Sequence, residues 1–170
     1  MLARAKELNP QVEYCEGDMR SFRAEKKFDA VIVSDAVAYM LTLPDLTDTF
    51  RTAFANLQSG GVFVTYAAEY KESFIQNHTR AATYSSKDAT VTYTEICHDP
   101  DPADTTFELV YSYLIRQNGK LEHQLDQHLI GLFSLDAWQN ALTDVGFRVE
   151  KIHFKSYDVP AFVCIKESAH

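Results

Sequence analysis

At 170 residues, 46% apolar and 24% charged, the chain has the length and composition of one globular domain able to bury an ordinary core. A formal net charge of −8 argues against nonspecific attraction to nucleic acid or an anionic membrane surface, and no apolar stretch approaches the roughly 20 residues of a membrane span. The three cysteines, Cys15, Cys97 and Cys164, are far apart, and the first residues carry charges where a signal peptide has its apolar core, so the expected compartment is the reducing cytoplasm.

Met1 to Leu8 reads as a helix, with Leu2, Ala5 and Leu8 on one face and Pro10 ending it. Val12 to Glu16 alternates as a short strand, closed by the turn chemistry of Gly17-Asp18. Residues 28–34 come next, an apolar run without alternation, as in a strand buried on both faces, and Ser34 and Asp35 stop it. Leu43-Pro44-Asp45 opens the next helix, whose stripe is Leu46, Phe50, Ala53, Phe54 and Leu57, and Ser59-Gly60-Gly61 is expected to end it. With the strand Val62 to Tyr66, residues 28–66 make one strand–helix–strand crossover, expected to be parallel and right-handed.

From about Ser73 the texture changes to alternating Thr, Tyr, Val and Ile. Three antiparallel strands are expected, Ala89 to Cys97, Phe107 to Ile115 and Lys120 to Ile130, with the acidic loop 99–102 after the first and an Asn118-Gly119 hairpin after the second. Ser134 then caps a helix carrying Leu135, Trp138, Leu142 and Val145 up to Gly146, and Phe147–Phe154 with Pro160–Ile165 closes the chain as an antiparallel pair. The fold class is α/β in a single domain over residues 1–170, with residues 73–133 as an antiparallel insert or lid.

In open parallel sheets, ligands sit outside the carboxyl ends of the strands. That places Ser34, Asp35 and the turn to Tyr39 first among candidate site residues, then Tyr66 with Glu69 after it, and Asp18 with Met19. A carboxylate at Asp18 can accept from an exocyclic amine, or it can satisfy the backbone of its own turn. His123 and His128 lie on opposite faces of one expected strand, and His78, His98, His153 and His170 are scattered, so no metal site is expected. No nucleophile elbow, P-loop or dinucleotide glycine fingerprint is present, which leaves hydrolase, NTPase and nicotinamide readings without their central parts.

In order and spacing, Met1 to Ala5, Gly17-Asp18-Met19-Arg20-Ser21-Phe22, Phe28 to Val31, Tyr39 with Leu41-Thr42, Leu57 to Gly61 and His128 to Phe133 resemble a class I S-adenosylmethionine-dependent methyltransferase. The insert before the last helix is most similar to small-molecule N-methyltransferases of the amino-sugar and glycine types. The resemblance implies a Rossmann-like sheet, S-adenosylmethionine as cofactor, and methyl transfer to a small-molecule acceptor, an amine first. It implies that Asp18 and Met19 flank the adenine, that Ser34 and Asp35 lie beside the methionine moiety, that Tyr39 and Glu69 bind substrate, and that Tyr66 and His128 are the catalytic neighbours. It also implies a departure. The family opens with two strands and a glycine-rich turn, and this chain matches the family only beyond those two strands. The expectation is a truncated sheet with an open edge, a homodimer or larger assembly closing that edge, and weak cofactor binding. The other readings are a non-catalytic dimerising or binding module and a Rossmann-like enzyme for another nucleotide.

Overall fold

The structure, a computed structural model, describes residues 2–155 and 158–168, so the expectations for Met1 and His170 lie outside the described residues. In chain order it holds α1 (Leu2–Leu8), β1 (Phe28–Ile32), a 3-10 helix (Asp35–Tyr39), α2 (Leu43–Asn56), β2 (Leu57–Tyr66), β3 (Thr79–Ser85), β4 (Ala89–His98), β5 (Thr106–Gln117), β6 (Lys120–Gly131), α3 (Leu135–Val145), β7 (Arg148–Phe154) and β8 (Val159–Ile165). These strands form two four-stranded sheets, ordered β1-β2-β8-β7 and β3-β4-β5-β6.

The first sheet is mixed: β1 pairs parallel to β2, while β8 runs antiparallel to both β2 and β7. Its core lies on one face. Phe63, Thr65, Phe162 and Cys164 point to that face and are buried under α2 and α3, where Phe50 packs between Phe63 and Trp138 with ring centroids 5.8 and 5.5 Å away. Pro44 fits the first turn of α2, which needs no amide there, and the Thr42 side chain caps the helix by accepting from the Asp45 amide at 3.2 Å. Ser134 does the same for α3 at Ala137, and Gly146 ends α3 at a positive φ of 108°.

Several expectations need correction. Residues 28–34 are not buried on both faces. β1 stops at Ile32, is an edge strand, and leaves Ile32 72% exposed. The opposite face of the sheet, with Ile32, Val62, Val64, Val163 and Ile165 in register, has no helix packed over it among the described residues. Val12 to Glu16 forms no strand, because no neighbouring strand offers it a ladder. Helix α2 ends at Asn56, not at the glycines. There Lys166 Nζ donates to the carbonyls of Phe54 and Leu57 at 2.9 and 2.8 Å, and Gly60-Gly61 belongs to β2, exchanging backbone bonds with Lys166.

The second sheet has four strands where three were expected. β3, missed in the sequence, pairs along its whole length with β4, and the Asn118-Gly119 hairpin joins β5 to β6 as expected. One face of this sheet turns toward the first sheet around Cys97, Phe107, Ile130 and Leu132. The other carries exposed Leu114, Leu121, Leu125 and Leu129.

Candidate functional site

The two parallel strands β1 and β2 deliver their carboxyl ends to one place, and the second sheet roofs it. Between them lies a cavity of about 270 Å³ lined by Asp35, Tyr39, Tyr66, Glu69, Arg80 and Glu95 among others. Two hydrogen-bonded sets organise its walls.

In the first, the Tyr66 hydroxyl donates to the Asp35 carboxylate, tying the end of β2 to the first residue of the 3-10 helix. In the second, Tyr39 and His128 meet at 2.9 Å, phenol oxygen to Nδ1, and His128 Nε2 lies 3.1 Å from Asp126 Oδ2. A carboxylate only accepts, so in neutral His128 the proton sits on Nε2 and Nδ1 accepts from the Tyr39 hydroxyl. The result is a chain Asp126–His128–Tyr39 whose last member lines the cavity. Tyr111 sets its ring edge-on to His128, centroids 5.9 Å apart at 81°, and burial pushes its phenol well above the ordinary tyrosine range.

Local structure explains why these groups meet. Asp126 and His128 are two apart on β6 and so share a face. Gly131, three residues on, lets β6 touch the backbone of Met40: a Cβ built there would fall 2.1 Å from the Met40 carbonyl oxygen. That contact presses the 3-10 helix onto β6 and brings Tyr39 to His128. Glu69, just past β2, is desolvated by burial, which raises its pKa against the opposing effect of Arg80.

Asp18 and Met19 stand apart from this cavity. Met19 lines a second, largely apolar cleft of about 290 Å³ with Gly17, Phe22, Phe28, Val31 and Val33. Asp18 beside it is occupied. Arg20 donates to it from the backbone amide at 2.9 Å and from Nη2 at 2.7 Å while reaching Asp45 at 2.8 Å, and these bonds hold the Asp18 carboxyl down to about 2. The Ser34 side chain caps nothing in the 3-10 helix after it.

Of the eight residues the sequence singled out, Asp35, Tyr39, Tyr66 and Glu69 thus line one cavity, with His128 bonded to its wall, Ser34 beside it, and Asp18 and Met19 at the other cleft. Asp126, Arg80, Glu95, Tyr111 and Trp138 were missed. The two-residue spacing of Asp126 and His128 on an expected strand was the available signal for the first. Among the described residues, no group of three or more His, Cys, Asp or Glu side chains is placed to hold a metal ion.

The cleft at Met19, apolar and open, fits a flat aromatic group, and its volume suits a part of S-adenosylmethionine rather than all of it. Asp35 offers a carboxylate at the strand end where a cationic amino acid group can sit.

No protein-family model matches the chain. It is 30% identical over 152 residues to a dTDP-3-amino-3,4,6-trideoxy-alpha-D-glucopyranose N,N-dimethyltransferase of Streptomyces venezuelae, a match covering 88% of this chain and 63% of that protein. The chain therefore spans less than two thirds of that curated relative. Its structure superimposes on the crystal structure of Streptomyces venezuelae DesVI with a TM-score of 0.88 at 26% identity, over 96% of this chain and 69% of the other. It also superimposes on S-adenosylmethionine-bound CalS10, an amino pentose methyltransferase from Micromonospora echinaspora, with a TM-score of 0.87 at 21% identity, over 97% and 69% of the two chains. In sequence this chain is similar to sugar N,N-dimethyltransferases, and in fold to methyltransferases.

Proposed function

We propose that this chain is the acceptor-binding part of an S-adenosylmethionine-dependent methyltransferase whose substrate is a small-molecule amine. The observation that carries the reading is the cavity at the carboxyl ends of β1 and β2, walled by Tyr39, Tyr66 and three carboxylates and roofed by the second sheet. Its relatives are named as amino-sugar N,N-dimethyltransferases.

S-adenosylmethionine, when bound, supplies an electrophilic methyl group. The chain's own residues then have three tasks. Met19 and its cleft hold the adenine, with Asp18 at the rim. Ser34 and Asp35 hold the methionine end, and Asp35 is oriented for this by the Tyr66 hydroxyl. Tyr39, its proton engaged by His128 Nδ1, accepts from the acceptor N–H and so orients the amine; Asp126 fixes the His128 tautomer. Glu69 lies in the same wall to bind the amine.

An NMR titration of the chain with S-adenosylmethionine tests the assignment. Shifts at Met19, Ser34 and Asp35 with affinity weaker than micromolar are expected, and labelled methyl appears on amine acceptors rather than on alcohols of the same skeleton. Micromolar affinity overturns the account of a partial cofactor site, and an absence of shifts overturns the cofactor assignment.

The other reading, a non-catalytic dimerising module, draws on the Arg20 fork that occupies Asp18 and on the outer edge of β1, which no strand pairs among the described residues. In either reading we propose a homodimer that closes this edge, since unpaired strand edges with apolar side chains recruit a further strand. The cytoplasm is the proposed location, supported by three free cysteines; no helix among the described residues is long and apolar enough to cross a membrane. The net charge of −8 speaks against a nucleic-acid partner.

A further inference from the structure

The cavity holds more negative charge than its one resident cation balances. Asp35, Glu69 and Glu95 line it, and among the described lining residues Arg80 alone carries positive charge. Arg80 stands directly opposite Glu95 in the β3–β4 register, so the hairpin fixes its place. Its Nη atoms nevertheless hold the two carboxylates loosely, 3.5 Å from Glu69 and 3.5 Å from Glu95, while Nε donates to His78 Nε2 at 3.3 Å. Elsewhere in the same molecule Arg20 closes on its two carboxylates at 2.7 and 2.8 Å, the range of a full charge-assisted bond. Exposure divides the cluster in the same way: the Arg80 side chain is 58% exposed, against 24% for Glu69 and 15% for Glu95. The anions are fixed in the wall, and the cation lies over them at the mouth.

A second, independent feature lies in the same lining. Trp138 is 4% exposed, and its indole N–H is buried with no hydrogen-bond partner among the described residues. A buried donor left unmet costs about 1–3 kcal/mol. The nitrogen has almost no accessible surface, so Trp138 contributes its ring to the cavity lining and not a donor.

We propose that Glu69 and Glu95 carry an exchangeable counter-ion: an alkylammonium ligand displaces Arg80 from the carboxylate pair and takes its place. The inference rests on the amine-acceptor reading and adds the residues that select a cation over its neutral isostere. The exchange leaves the charge of the pair unchanged, since one cation departs to solvent as another enters. The aromatic walls Tyr39, Tyr66 and Tyr111 suit an ammonium and its carbon skeleton, because ring faces attract cations.

The test uses the full chain and two probes of similar skeleton, N,N-dimethylcyclohexylammonium and the uncharged 2-cyclohexylpropan-2-ol, with dissociation constants from NMR titration and folding of each variant checked by circular dichroism. The cation is expected to bind the wild-type chain about tenfold more tightly than the alcohol, and Glu69→Gln or Glu95→Gln to remove about that factor. Arg80→Gln is expected to tighten cation binding severalfold, by removing the competitor, and to leave the alcohol unaffected. The Arg80 Nη resonances move toward their solvent-exposed positions as the cation is added. Weaker cation binding in Arg80→Gln, or unchanged binding in both glutamate variants, overturns the exchange while leaving the methyltransferase reading to its own cofactor titration. Equal affinity for the two probes, or no binding of either, overturns the proposal outright.

Discussion

Asp18 and Asp45 share one guanidinium, that of Arg20, and this governs what either carboxylate can do. The hydrogen bonds from the Arg20 side chain, then from its backbone amide, lower Asp18 from the ordinary 3.8 to about 2. Because the folded value lies below the unfolded one, the interaction contributes fully above about pH 4 and is lost as pH falls through about 2. Carboxyl resonances followed by NMR should show Asp18 titrating near 2, and Arg20→Gln should return it toward 3.8 with little change in overall stability, the pair being exposed. Reach of this kind also decided how much of the site was legible in the sequence. Asp35, Tyr39 and Tyr66 were found because strand ends are where ligands sit, and that rule needs only a hydrophobic run and its stop. Whether Asp18 was free for an adenine amine was not legible, because that depends on the reach of a side chain two residues on. Arg80 and Glu95 are 15 positions apart and meet only through the register of β3 and β4, which no local pattern discloses.

At the scale of elements, the joint between β6 and the 3-10 helix is the most constrained contact near the site. Gly131 lies against the Met40 carbonyl, and Met40 is itself buried in the main core. An added Cβ meets backbone on one side and the Phe133 ring at 2.8 Å on the other, so neither neighbour yields cheaply. Gly131→Ala is expected to cost about 2–3 kcal/mol in urea unfolding. The residual folded protein should also lose the Tyr39–His128 bond, read as a change in the His128 ring nitrogen shifts. Unchanged stability would show that β6 and the 3-10 helix are not pressed together as described. Elements with strong local signals were legible: α2 with its Thr42 cap and Pro44, α3 from Ser134 to Gly146, and the Asn118-Gly119 hairpin. β3 was missed because its side chains are almost all exposed, so no apolar alternation marks it, and the expected strand at 12–16 failed for want of a neighbour. Pattern reports which residues suit a strand; pairing decides which of them become one.

The molecule as a whole presents two apolar surfaces that its own described residues leave uncovered, and they make different demands on a partner. One is the β1 side of the first sheet, with an open backbone edge and Ile32 beside Val62 and Val64. The other is the outer face of the second sheet, with Leu114, Leu121, Leu125 and Leu129, the last three on its edge strand β6. A partner strand added to β1 needs the outward amides of that strand. Val33 donates to the Val64 carbonyl at 3.1 Å, so strand alternation turns the amides of Val33 and Val31 toward β2 and those of Ala30 and Ile32 outward. Ile32→Pro therefore removes an outward donor without touching the β1–β2 ladder, a substitution an edge strand tolerates. Light scattering of the wild-type chain should give a dimer, and Ile32→Pro should convert it to monomer with the far-ultraviolet circular dichroism unchanged. A monomeric wild-type chain would remove the dimer altogether. A dimer that survives Ile32→Pro but is broken by Leu125→Glu would move the contact to the leucine face of β5 and β6.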